Sequence, residues 1–342
     1  MHLSTSNSNS NDPKGWAITW LVVIILCGGL LGGYEWFLKD KGFVASIESN
    51  DDLWSWHRNN VNGHHQNLVI IGASRSQLDI NMPYLKKKLP NYDVTQLSVN
   101  GHYPMATFAA LAKDEDFKGN LLVSLSAQAL EPIYYDMQLK QNDYYANKSG
   151  LYKSFDAYIS AHVDSYLRLM HPLLSLQQIV EYYDKNKDFK PVFYTTAHVD
   201  QSVTADYSLT DTKVLYNHFV SEKKKNYQDV KPSSPQEWQQ NIDLLVEYSQ
   251  AIENRGGNVI LIRFPTFKGH WQLDEEYYPR GKYWDKIAAN PILKTVHFND
   301  VNGFELFESP DSSHLDQKDS EKFTQILFDY LITKNYLDNS NN

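Results

Sequence analysis

Twenty consecutive uncharged residues, GWAITWLVVIILCGGLLGGY, lie between Lys14 and Glu35. At about 1.5 Å per residue they reach roughly the 30 Å of a bilayer's hydrocarbon core, which predicts a transmembrane helix over 15–38. Trp16, Trp20, Tyr34 and Trp36 fall near its ends, where amphipathic rings favour the headgroup region. The run exceeds a usual signal-peptide core and no A-x-A site follows it, so an uncleaved anchor is expected. Ahead of it, 1–14 reads as a short polar tail. Behind it, 39–66 mixes charges with Trp54, Trp56 and His64-His65 and reads as a juxtamembrane connector with one short helix. The histidine pair has no third ligand at a metal-binding spacing, which favours a solvated patch.

From residue 67 the pattern changes. NLVIIGAS is a continuous apolar run stopped by Gly72, the signature of a strand buried on both faces of a parallel sheet. VTQLSV at 94–99, NLLVSLS at 120–126, GNVILIRF at 257–264 and the weaker KTVHF at 294–298 read the same way. Helical periodicity falls between them, over 81–89, 104–114, 235–254 and 318–334, the third opened by Ser234-Pro235 and closed by Gly256-Gly257. This alternation predicts an α/β domain over 67–342: a mostly parallel five-stranded sheet with helices on both faces. The alternation breaks once, over 131–233, which predicts an inserted, largely helical subdomain lying over the sheet, with a helix around 151–183. Tyrosines crowd this insert, Tyr134, Tyr144, Tyr158 and Tyr183 among them. They either pack it on the sheet with hydroxyls at the surface or line a glycan groove, and the packing role is the commoner one.

Composition narrows the function. The chain has 342 residues, 41 acidic against 32 basic, for a formal charge of −9. Nucleic acid is not an expected partner, because phosphate neutralisation needs a basic face. The single cysteine, Cys27, leaves no disulfide framework and no CxxC metal or redox site. Phosphate loop, dinucleotide fingerprint, H-E-x-x-H and G-x-S-x-G elbow are all missing, so neither a metal nor a cofactor is expected.

In open α/β sheets ligands bind beyond the carboxyl ends of the strands, so the residues after each strand are the candidates. The first strand delivers Gly72-Ala73-Ser74-Arg75-Ser76, a small-residue turn that lets a serine hydroxyl stand clear with amides nearby for an oxyanion. After the second come Asn100 and Gly101, a side-chain amide and a residue that permits close approach of backbone to ligand. Before the last helix stands Ser309-Pro310-Asp311-Ser312-Ser313-His314, where an aspartate three residues ahead of a histidine can orient the imidazole toward a hydroxyl. Arg75 and Arg263, two of only six arginines, both fall at predicted sheet ends. Each either holds a substrate carboxylate or sugar acid bidentately or ties a loop to the sheet edge. His270-Trp271 can reach the cleft rim.

Gly72-Ala73-Ser74, Asn100-Gly101 and Asp311-x-x-His314 together resemble the blocks of the SGNH/GDSL hydrolase superfamily. The resemblance covers 67 to about 334 outside the insert, with GASRS where G-D-S is usual. It implies a three-layer, flavodoxin-like fold, Ser74 as nucleophile, His314 as general base then acid, Asp311 as its orienter, and an oxyanion hole from the Ser74 and Gly101 amides. The block normally reading G-x-N-D is replaced by Ser124-Leu125-Ser126-Ala127-Gln128, which leaves Asn100 or Gln128 to supply the missing amide. A membrane-tethered domain of this kind resembles the proteins of bacterial cell-surface acylation, polysaccharide O-acetyltransferases and the D-alanyl transfer protein. The resemblance implies acyl transfer, most readily acetyl, to a surface polysaccharide through an acyl-serine. A multi-span membrane acyltransferase would be the donor, and the domain would face outward from the cytoplasmic membrane. The alternatives are a membrane-anchored carbohydrate esterase and a non-catalytic glycan-binding scaffold.

Overall fold

A computed structural model describes residues 13–338 apart from 62, 64, 175 and 190, so most of the polar tail and His64 lie outside the described residues. The apolar run forms α1 (Pro13–Asp40), a helix long and apolar enough to cross a membrane, a property that anchors and signal sequences share. Its last turn is not free of the rest of the chain. Glu35 accepts from the Leu169 amide at 2.7 Å and pairs with Arg168 at 3.5 Å, while Leu38 packs with Phe43 and Leu174. The connector holds α2 (Asp51–Asn59), which Asn50 caps by accepting from the Leu53 amide. Asp51 and Asp52 at its start and Arg58 in its last turn complement the helix dipole.

The domain then runs β1 (Asn67–Ile71), α3 (Ser74–Leu78), α4 (Met82–Lys88), β2 (Asp93–Gln96), α5 (Met105–Lys113) and β3 (Asn120–Ser124). Through 131–233 come α6 (Leu139–Asn147), α7 (Leu151–Asp164), α8 (Leu176–Asn186), β4 (Thr195–Ala197), β5 (Val203–Ala205) and α9 (Thr212–Asp229). It closes with α10 (Pro235–Glu253), β6 (Asn258–Arg263), α11 (Lys268–Tyr277), α12 (Trp284–Ala288), β7 (Lys294–His297) and α13 (Gln317–Thr333). Five parallel strands form one sheet in the order β2-β1-β3-β6-β7, with Val69 beside Thr95 on one side and Leu121 on the other.

Alternation along these strands divides the core into two layers. Val69, Ile71, Leu121, Val123, Val259 and Leu261 face α5 and α10 through Phe108, Leu111, Ile242 and Leu245. Leu68, Ile70, Leu122, Ile260, Ile262 and Val296 face α4 and α13 through Met82, Leu85, Phe323 and Leu327. The expected α/β sheet with helices on both faces is therefore present.

Within 131–233 one expectation fails and one feature is new. The helix expected over 151–183 is two helices, α7 and α8, parted by short 3₁₀ turns around His171-Pro172, because proline disfavours helical backbone at the residue before it. The antiparallel pair β4–β5 is unheralded, since three-residue strands are too short to show alternation. The tyrosines mostly pack: Tyr144 donates to Asp52 at 2.8 Å and Tyr158 stacks on Trp56 at 4.8 Å, whereas Tyr152 and Tyr166 are exposed.

Candidate active site

In this strand order the sequence of crossovers reverses between β1 and β3, and at such a switch point two adjacent loops diverge and open a crevice. Gly72 makes the crevice tight: a Cβ there would stand 2.6 Å from the Ser124 Cβ and 2.2 Å from the Ser76 Oγ. The Ser76 hydroxyl holds the turn by donating to the Ala73 carbonyl at 3.0 Å, which leaves Ser74 as the first, partly exposed residue of α3.

Ser74 Oγ lies 2.7 Å from His314 Nε2, and His314 Nδ1 lies 2.8 Å from Asp311 Oδ2. Asp311 is held by its own turn, with its Oδ1 accepting from the Ser313 and His314 amides at 2.8 Å and from the Ser309 hydroxyl at 2.9 Å. The Tyr207 hydroxyl donates to its Oδ2 at 2.6 Å. Burial alone would push this carboxyl up, but the bonds from His314, Tyr207 and the Ser313 amide hold it well below the usual carboxylate range. An ionised Asp311 keeps the imidazole proton on Nδ1, so Nε2 is free to accept from Ser74. Phe219 of α9 sets its ring 5.4 Å from the His314 ring, edge to face.

The cavity over Ser74 measures about 180 Å³ and is bordered by Arg75, Gly101, Phe219, Lys223, His270 and His314. Gly101 sits at φ +72°, a conformation that favours glycine and that turns the chain at the cavity edge. Asn100, by contrast, borders a neighbouring cavity and not this one. Gln128 is also elsewhere: its Nε2 donates to the Tyr134 hydroxyl at 3.1 Å, while its Oε1 accepts from Tyr103 at 2.8 Å and Lys223 at 2.6 Å. Neither side chain supplies the missing amide, so both expectations are corrected.

Arg263 reaches the cavity wall, but its guanidinium is committed to Asp274, Thr266 and the Phe264 carbonyl; the loop-tying role holds for it. Arg75 differs. It donates to the Ser313 carbonyl at 3.3 Å, the Ser313 hydroxyl at 3.2 Å and His270 Nε2 at 3.0 Å, with no carboxylate within 4 Å among the described residues. Trp271 packs on Phe298, away from the serine.

One buried acid serves several cations here. Asp274 bonds Arg263, Thr266 and Tyr227, with Lys223 at 3.7 Å and His270 at 4.0 Å. Burial would raise its carboxyl, but Arg263 and Lys223 pull it far below the ordinary range. Burial also pulls the Lys223 ammonium down to about 7, Arg75 and Arg263 adding repulsion against the pull of Asp274.

Behind the histidine, burial pushes the Asp79 carboxyl up to about 7, even though its Oδ1 accepts from the Leu315 amide at 2.9 Å. The unfolded chain releases this proton near pH 4, so stability is expected to fall as pH rises from about 4 to 7. Asp79→Asn keeps the acceptor and removes the titration. Thermal unfolding of the detergent-solubilised chain at pH 4.5 and 7.5 should show a smaller loss in the variant than in the parent; equal losses would mean Asp79 does not titrate there.

Sequence reading misses Tyr207, Phe219, Lys223 and Asp274 entirely. It also misses Gln138, whose buried amide donates at 2.9 Å to the carbonyls of Gly72 and His102 and ties together the two loops that border the cavity. Four of the five belong to 131–233, where no motif marks them, and Asp274 sits on α11, a helix that the periodicity does not predict.

No protein-family model matches the chain, and no curated protein matches it either. Among solved structures it is similar to one titled "Crystal Structure of TesA", at 13% identity and TM-score 0.36, over 80% of this chain and 100% of that one. A likeness this loose says nothing about activity.

Proposed function

We propose that the chain is a membrane-anchored serine acyltransferase that passes an acyl group, most readily acetyl, to a cell-surface polysaccharide. The observation that carries the reading is the unbroken chain of hydrogen bonds from Ser74 through His314 to an ionised Asp311, set at the switch point of a parallel sheet. His314 takes the Ser74 proton as the serine attacks the acyl carbonyl, then returns it to the leaving group; the cycle repeats in the second half with a sugar hydroxyl as nucleophile. The Ser74 and Gly101 amides receive the oxyanion, and Arg75, with no carboxylate within 4 Å among the described residues, takes the place of the absent third donor.

Transfer is favoured over hydrolysis because α9 of the insert lies over the serine through Phe219 and Lys223, which restricts water around the acyl-enzyme. Residues 15–38 act as the anchor, with the domain outside the cytoplasmic membrane. A multi-span acyltransferase supplying the acyl group fits a second feature: Leu151, Phe155, Ile159 and Val163 form an exposed apolar stripe along α7, in the same insert that packs on the end of α1. The test is to delete the gene and analyse the surface polymer. An under-acylated polymer, restored by the parent and not by Ser74→Ala, is expected. Over-acylation would identify an esterase, and unchanged acylation would remove the transfer reading.

A further inference from the structure

Asp311 accepts more hydrogen bonds than its place beside a histidine requires. Its Oδ1 takes the Ser309 hydroxyl and the Ser313 and His314 amides, while its Oδ2 takes both His314 Nδ1 at 2.8 Å and the Tyr207 hydroxyl at 2.6 Å. A carboxylate offers about four acceptor sites, so these donors compete for its charge. The competition falls on Oδ2, the oxygen that faces the imidazole. Three local bonds on Oδ1 already hold the carboxylate, so the Tyr207 bond is not needed to place it.

Tyr207 does not come from that turn. It follows β5 in a short 3₁₀ turn (Tyr207–Leu209) that Asp206 caps by accepting from the Ser208 amide at 3.0 Å. It is 4% exposed, and Leu78 of α3 and Ala205 of β5 are its buried apolar neighbours. The same hairpin bonds α3 directly, since Gln77 Nε2 donates to the Gln201 carbonyl at 3.2 Å. The hairpin thus touches the helix that begins with Ser74 and, through one phenol, the turn that holds Asp311. Packing alone would be served by phenylalanine; the hydroxyl serves Asp311. Burial and the Asp311 carboxylate push this phenol far above its ordinary value, so it remains a donor through neutral pH.

A donor shared with the imidazole draws charge from Oδ2. The imidazolium formed when Ser74 gives up its proton is then held less tightly and passes that proton more readily to a leaving group. We infer that Tyr207 is a positioning residue of this site: acting through Asp311, it sets how tightly His314 holds the Ser74 proton, and it makes the insert's hairpin part of the catalytic unit. This rests on the serine–histidine–aspartate reading and not on the choice between transfer and hydrolysis.

Other titratable groups surround the pair: Arg75 and Asp79 beside α3, Tyr194 next to Tyr207, Glu222 and Lys223 of α9, His270 of α11, and Asp316, which caps α13. All are common to the parent and to Tyr207→Phe, so a difference between the two pH profiles reports the phenol. The test is the rate at which a serine-directed sulfonyl fluoride labels the full chain in detergent across about pH 5–9. Tyr207→Phe should raise the pH of half-maximal labelling by about half a pH unit or more. Tyr194→Phe removes a hydroxyl from the neighbouring ring, 5.5 Å away, and should leave that pH in place. 3-Fluorotyrosine at position 207, nearly the same size and a stronger donor, should lower it. That variant tests the inference even if Tyr207→Phe unfolds, a case that thermal unfolding identifies. A half-maximal pH that stays put or moves the wrong way in a folded variant at position 207, or that Tyr194→Phe moves equally, would overturn the inference, as would a parent that is not labelled. Labelling of Ser74→Ala at the parental rate would remove the nucleophile beneath it. Polymer acylation indifferent to Ser74→Ala, with the pH shift intact, would remove only the transfer reading.

Discussion

Ser74→Ala is expected to abolish turnover of a chromogenic acetyl ester and covalent labelling by a serine-directed sulfonyl fluoride, while Ser76→Ala keeps both. Ser76 shares this turn but is buried, and its hydroxyl is occupied by the Ala73 carbonyl and lies 2.7 Å from Ser98. Ser74 alone faces an imidazole. Because Asp311 acts through His314, Asp311→Asn and His314→Ala should be far from additive, each single variant losing a large part of what the double variant loses. Arg75→Gln should lower kcat on the same neutral ester by about 10²–10³, the typical effect of losing an oxyanion donor. A raised KM with kcat unchanged would instead make Arg75 a residue that binds an anionic part of the substrate. Labelling of Ser74→Ala at the parental rate would remove the nucleophile assignment altogether.

The second large effect concerns stability. Asp274→Ala should cost about 3–5 kcal/mol, because it leaves Arg263 buried without its counter-charge and strips Tyr227 and Thr266 of an acceptor. Asp285→Ala provides the comparison: it removes a pair with Arg280 whose acid is about half exposed, and such pairs are worth about 0–1 kcal/mol. Melting temperatures of the two variants in the same detergent measure the contrast. If they fall equally, the Asp274 cluster is solvated and does not hold the insert's Lys223 over the site.

The parallel sheet is legible in the chain because a strand covered on both faces has no polar alternation to preserve; Leu68 to Ile71 and Val259 to Ile262 are apolar throughout and buried throughout. The Asp311–His314 element is legible for a different reason. It is a local turn in which the aspartate caps the amides of residues two and three ahead, so spacing alone brings carboxylate and imidazole together. Gly72 and Ser74 belong to the same class, since the residue ending a buried strand at a tight turn is set by the immediate neighbours.

What completes the site is non-local. Tyr207 meets Asp311 across 104 residues and Lys223 meets Gln128 across 95. Neither spacing carries a period or a motif, because an insert folded back over a sheet can present any of its side chains. The same contacts explain why Gln128 is lost as an oxyanion donor: a lysine from the insert takes its carbonyl and Tyr134 takes its amide proton. Asn100 and Gly101 are neighbours in sequence yet border different cavities, a division set by the turn between them and by the β4–β5 hairpin packed against α3. The sequence by itself determined the strands, the membrane-length helix and the local hydrogen-bonding turn, all of which are marked by the hydropathy or spacing of a few consecutive residues. Only the tertiary structure decided which cations lie beside the serine, which amides face it and where the second cavity opens, because those depend on how the insert closes over the sheet.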